Sequence, residues 1–125
     1  MLKSKNENEN VVEVTTFYAN IYVGLREQYT ENIYNINDVN NVVDFYIKAI
    51  GGDCVTITPT QYRYLDGFDD GVIVGFINYP RFERSNEEIT QRALKLGELL
   101  MKTLKQNRVS VVTPTKTFML TNKEL

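Results

Sequence analysis

Residues Asp66–Arg84 read D-G-F-D-D-G-V-I-V-G-F-I-N-Y-P-R-F-E-R. Asp66–Gly71 has the acidic, glycine-rich character of a turn. Val72–Asn78 follows as a nearly continuous apolar run, the pattern of a central strand covered on both faces. Pro80 and the charges up to Arg84 then leave the sheet. The exit through Asn78, Tyr79, Pro80, Arg81 and Phe82 is polar, aromatic and basic. A purely structural strand does not need such an exit, which makes it the first place to look for a ligand.

Downstream, Ser85 and Glu88 have the spacing of a capping box. Ile89, Ala93, Leu96, Leu100 and Leu104 form the apolar stripe of a long helix, with Lys102 and Lys105 near its negative end. Val109–Leu120 reads as a last strand, interrupted at Thr113-Pro114-Thr115. Upstream, Cys54–Leu65 is strand-like on both sides of Pro59, which lacks an N–H and marks a bulge, kink or edge. Before it, Val39, Val42, Val43, Tyr46, Ile47 and Ile50 recur at helical spacing. Asn35 or Asn37 is the cap, and Gly51-Gly52 the stop. Val12–Arg26 is rich in β-branched and aromatic residues and predicts the first strand, with Gly24 marking a bulge or a close backbone approach. Glu27–Asn35 reads as a loop.

The order is β-α-β-β-α-β, and its halves look alike. Tyr22–Leu25, Y-V-G-L, is echoed by Ile73–Phe76, I-V-G-F, and C-V-T-I-T-P-T by V-S-V-V-T-P-T. Two βαβ units in this order predict a ferredoxin-like α+β fold with two helices over one face of an antiparallel sheet. The expected layout is a polar, disordered stretch over 1–11 and one ligand-binding α+β domain over 12–121. The other sheet face must meet solvent, a ligand or another subunit, and the Tyr, Phe and Val of the strands favour a partner subunit.

A chain of 125 residues suits one domain with a real core. Its 42% hydrophobic and 24% charged residues are those of an ordinary soluble globule. A net charge of -2 gives no general attraction to nucleic acid or anionic membrane. No apolar run approaches membrane-spanning length. The lone Cys54 excludes an internal disulfide, fits a reducing cytoplasm, and reads as a small buried strand residue. With no His, a Ser-His or Cys-His nucleophile and a His-ligated metal are excluded. These absences lean away from catalysis and from any cofactor or metal, and the expectation is a protein that is not an enzyme.

Six Arg remain as the chain's anion-binding forks. Arg26 follows an apolar strand and Arg108 precedes one, so rigid elements fix both. Arg81 lies in the exit after Asn78, and Arg92 falls on the polar side of a helix, where it reads as solvated. Asn78 can read a ribose hydroxyl or a base edge, or simply end a strand. Phe68, in the acidic turn, is a stacking platform or a loop anchor. Asp66, Asp69 and Asp70 do not match a calcium loop and read as solvated turn formers.

The segments N-I-Y-V-G-L-R-E, C-V-T-I-T-P-T, G-V-I-V-G-F-I-N-Y-P-R-F and N-R-V-S-V-V-T-P resemble the phage Thoeris anti-defence proteins of the first described type. The resemblance covers nearly the whole chain after its polar N-terminus. It implies a sponge that sequesters cyclic ADP-ribose signals made by TIR-domain proteins, glycocyclic ADP-ribose among them, without cleaving them. It also implies action in the host cytoplasm and a homo-oligomer, dimeric or hexameric, with cyclic oligonucleotides as further ligands of some members. By the same resemblance the base-stacking aromatic is Phe68 and the ribose amide Asn78. Phosphate contacts fall on Arg26 and Arg108, with Arg81 serving this pocket or a second one. About ten extended residues separate Phe68 from Asn78, roughly 33 Å if straight, so one ligand can meet both only across two subunits or around a fold-back. Two other readings remain: an acylphosphatase-like phosphoryl-transfer enzyme, which the missing Gly-rich phosphate loop disfavours, and a small nucleic-acid module, which the charge disfavours.

Overall fold

The computed structural model describes residues 10–27, 30–50 and 52–124; most of the polar N-terminal stretch expected to be disordered lies outside them. Strand β1 (Tyr18–Gly24) leads to helix α1 (Ile36–Ile50), then to β2 (Thr56–Tyr64) and β3 (Gly67–Ile77). A 3-10 turn (Pro80–Phe82) precedes helix α2 (Asn86–Thr103), which is followed by β4 (Arg108–Val112) and β5 (Thr117–Thr121). The sheet order is β2-β3-β1-β4-β5, with every neighbour antiparallel. The first four strands interleave two βαβ units as a ferredoxin-like order requires, and β5 extends the edge.

The fifth strand departs from the sequence reading of one interrupted strand. Thr113 breaks it: its N–H donates to the Lys116 carbonyl at 2.8 Å, and its hydroxyl oxygen accepts the Lys116 N–H at 3.0 Å. The chain reverses there into a β4–β5 hairpin. The matching Thr58-Pro59-Thr60 stays inside β2, because β2 is an edge strand, where a proline is tolerated.

The Asp66–Gly71 turn also contracts. Only Leu65 and Asp66 turn, with Asp66 at φ 65°, a left-handed conformation that Asp tolerates better than most residues. Tyr64 then pairs with Gly67, and the hairpin runs on past the point where β1 ends opposite Gly71. Residues 61–70 thus form a two-stranded arm beyond the sheet.

Both helices start on side-chain caps. The Asn35 side-chain oxygen accepts the N–H groups of Asn37 and Asp38, and Asp38 accepts the Asn35 N–H in return. Ser85 accepts the Glu88 N–H at 3.1 Å. The Glu88 carboxylate turns instead to Arg84 at 3.2 Å and Arg92 at 3.1 Å.

Alternation along the strands sends Ala19, Ile21, Val23, Val72, Val74, Phe76, Val109 and Val111 to one face, where they meet Val39, Val43, Ile89, Ala93, Leu96 and Leu100 of the helices. Each large aliphatic group buried there contributes about 1.5–3 kcal/mol. Gly97 lets α2 approach closely; a Cβ there would lie 3.2 Å from Leu120 Cδ1.

The opposite face is open. Ile73 is half-buried and Ile77 is exposed, so β3 is covered on one face rather than two. The apolar run of β3 looked doubly buried because a glycine, Gly75, takes the open-face position between these isoleucines.

Two further expectations change. Cys54 is exposed in the segment before β2 rather than buried in a strand. Arg92 is not simply solvated: it donates to Asp53 at 2.7 Å, as does Arg84, and the Asp53 side chain is only 2% exposed. Tyr46 points its hydroxyl at the same carboxylate. This cluster joins the segment after α1 to the start of α2.

Candidate functional site

Antiparallel pairing separates the two ends of the sheet. Tyr18 of β1 faces Ile77 of β3, and Gly24 faces Gly71. Arg26, just beyond the end of β1, therefore lies beside the arm. Tyr22 pairs with Ser110 of β4, which places Arg108 near the same end. Between them opens a cleft of about 420 Å³, lined by Arg26, Arg108, Tyr22, Tyr62, Ser110, Gln106, Glu27, Asp69 and the backbone at Gly24.

The charges in the cleft are unequally engaged. Arg26 Nε donates to Asp69 Oδ1 at 3.0 Å, and the Tyr64 hydroxyl donates to Asp69 Oδ2 at 3.1 Å. That bond to a carboxylate holds the Tyr64 phenol above its ordinary pKa. Asp69, read from sequence as a solvated turn former, is thus the carboxylate that ties the arm to Arg26. Glu27 accepts hydrogen bonds from Asn32 and Tyr34, both at 3.3 Å. Arg108 has no acidic partner among the described residues. The cleft therefore presents one guanidinium held from behind and one uncommitted, an arrangement suited to anionic oxygens.

Gln106, buried in the connection between α2 and β4, donates to the Arg26 and Leu104 carbonyls, both at 2.9 Å, and fixes the segment after β1. Its side-chain oxygen would lie 2.9 Å from a Cβ at Gly24. The close approach expected at Gly24 is therefore to Gln106.

Of the five residues singled out from sequence, Arg26 and Arg108 come together and the other three lie elsewhere. Phe68 is in β3 rather than a turn, pairs with Arg63, and carries that residue's guanidinium 4.9 Å from its ring centre. Asn78 lies at the far end of β3. Its Nδ2 donates to the Thr15 carbonyl at 3.0 Å, its Oδ1 accepts the Arg84 N–H at 3.0 Å, and its N–H bonds the Phe17 carbonyl. It borders a second, largely apolar cleft of about 360 Å³ with Glu13, Phe17, Tyr18 and Pro80. Arg81 sits in the 3-10 turn, 5.9 Å from the Phe82 ring centre. Tyr22, Tyr62, Gln106 and Ser110 were not picked out from sequence. The period-two placement of Tyr62 and Tyr64 on one strand face was the available signal. Among the described residues no cluster of Cys, Asp and Glu could hold a metal ion.

No family model and no curated protein matches the chain. Solved structures share its fold. A phage SAM lyase in complex with S-methyl-5'-thioadenosine superimposes with a TM-score of 0.69 at 22% identity, over 88% of this chain and 92% of that one. A phage SAM lyase in its apo state gives 0.66 at 21% identity, over 86% and 90%. At these identities the likeness establishes the fold, one that phage proteins use. It also overturns the expectation, drawn from the missing His, that the protein is not an enzyme. This fold carries a lyase, and Tyr, Asp and Glu remain available for proton transfer without an imidazole.

Proposed function

We propose that the protein is a phage anti-defence protein that captures a cyclic ADP-ribose-type signalling nucleotide, such as glycocyclic ADP-ribose, in the cleft beside the arm, and so blunts Thoeris immunity in the host cytoplasm. The observation that carries this reading is the convergence of Arg26 and Arg108, from different strands, on one cleft with tyrosines. Two guanidinium groups suit the two phosphates, Ser110 and Gln106 offer polar atoms to ribose, and the tyrosines offer ring surface. The same fold in a phage protein holds an adenosine-bearing compound, which supports a nucleotide ligand. Phe68 and Asn78 lie at opposite ends of β3 and can join one ligand only across a subunit boundary. Exposed Ile77 and Met119 on the open face support a homo-oligomer as the working form.

The test is direct. Incubate the protein with cyclic ADP-ribose isomers, remove free ligand, heat, and identify what is released by mass spectrometry. Retention by the wild-type protein and loss in Arg108→Ala is expected; no retention of any isomer rejects the reading.

A second reading has its own support. Glu27 and Asp69 line the cleft with Arg108, and such mixed charge suits a ligand that carries a cation and a carboxylate together, as S-adenosylmethionine does. Incubation with S-adenosylmethionine and release of S-methyl-5'-thioadenosine would favour a lyase; unchanged substrate would reject it.

A further inference from the structure

We infer that Tyr62 is the platform on which a purine ring stacks in this cleft, and that Gly71 exists to let it lie there; the inference rests on the nucleotide reading of the site. Tyr62 belongs to the edge strand β2 and pairs with Asp69 of β3 on the open face. Its hydroxyl lies 3.1 Å from the carbonyl oxygens of both Val23 and Val72. Val23 is in β1, on the far side of β3 from Tyr62. The ring must therefore cross β3 to reach it, and it crosses at Gly71. A Cβ at position 71 would lie 2.1 Å from Tyr62 Cε2 and 2.5 Å from the Val23 carbonyl oxygen, so any side chain there would expel the ring or distort the backbone.

Glycine at 71 and the two carbonyls thus pin the ring across the floor of the cleft, where it lines the same space as Arg26 and Arg108. Burial drives the phenol pKa up to about 12, in keeping with a hydroxyl used as a fixed donor rather than as a titrating group. A pinned aromatic loses little freedom when a ligand stacks on it, and every base offers a π-face to such a surface. The substrate class implied is a purine nucleotide whose base lies on Tyr62 while its phosphates reach the two guanidinium groups.

The experiment follows adenine H2 and H8 by proton NMR in titrations with cyclic ADP-ribose and, separately, S-methyl-5'-thioadenosine. Upfield ring-current shifts and intermolecular NOEs from adenine to the Tyr62 ring are expected in the wild-type protein. Tyr62→Leu should abolish the shifts and weaken binding about 10-fold or more. Tyr62→Phe should keep the shifts, and Gly71→Val should lose them with Tyr62 still present. Adenine NOEs to another aromatic, or unchanged shifts in Tyr62→Leu, would overturn the platform while leaving the nucleotide site standing. If Tyr62→Leu does not fold, the wild-type NOEs decide alone. Failure of both probes to bind the wild-type protein rejects the nucleotide reading and the platform with it.

Discussion

Arg26 Nε donates to Asp69 Oδ1 across 3.0 Å, tying the segment after β1 to the arm that carries β2 and β3 past the sheet. The pair is open to water, with side chains 48% and 32% exposed, so it contributes at most about 1 kcal/mol to stability. Its importance is orientation: among the described residues only Nε has a hydrogen-bond partner, which leaves the two terminal nitrogens for a ligand.

Arg26→Ala should therefore leave the unfolding free energy within about 1 kcal/mol of wild type. Arg108→Ala, which breaks no ion pair among the described residues, should change stability still less. Each should weaken cyclic ADP-ribose binding by about 10- to 100-fold, the loss of one charge-assisted contact. Urea denaturation beside calorimetric titration separates the two effects.

Asn78 is a joint between three backbone segments. Asn78→Ala should destabilise the fold by about 1–3 kcal/mol, because the Thr15 carbonyl and the Arg84 N–H lose a buried partner. A shift of the urea midpoint without a change in slope would register it. A wild-type midpoint would mean that the amide serves a ligand rather than the fold.

Asp53 accepts from two guanidinium groups while almost wholly buried. Asp53→Ala should cost about 3 kcal/mol, the lower end for breaking a buried pair, since Arg84 and Arg92 are 24% and 21% exposed and can turn to water. Thermal unfolding of the variant measures it, and a melting temperature equal to wild type would contradict the clamp.

Tyr46 gives the fold an alkaline limit. Burial first, and the neighbouring Asp53 charge second, raise its pKa from 10.0 to about 12. The unfolded chain gives up this proton near pH 10 while the folded protein keeps it. The stability is therefore fully present below about pH 10 and lost as pH rises towards about 12. Tyr62, raised to about 12 chiefly by burial, acts in the same direction. Urea midpoints across this range should fall steeply for wild type and less steeply for Tyr46→Phe.

The elements were readable because each is set by local chemistry. The stripe Val39, Val42, Val43, Tyr46 on α1, the caps at Asn35 and Ser85, and the β-branched and aromatic richness around β1 all express themselves within a few residues. Their order then implied the sheet, since two βαβ units have few ways to bury both helices on one face. The β4–β5 hairpin was misread because Thr-Pro-Thr is compatible with an edge strand and with a turn. Only the neighbouring strand distinguishes Pro59 from Pro114.

Local residue patterns already carry the α+β order, the helices and the set of available forks and rings. Tertiary structure decided which of them meet. Arg26 and Arg108 are 82 residues apart and share a cleft because β1 pairs with β4. Phe68 and Asn78 are 10 residues apart and lie at opposite ends of β3, because an extended strand carries its two ends away from each other. Tyr62 became a cleft residue through a hydrogen bond to a carbonyl two strands away and a glycine that leaves room to reach it. Residue type and spacing along the chain are fixed locally, whereas this site depends on the register of strands distant in sequence, which is settled only when their buried faces pack together.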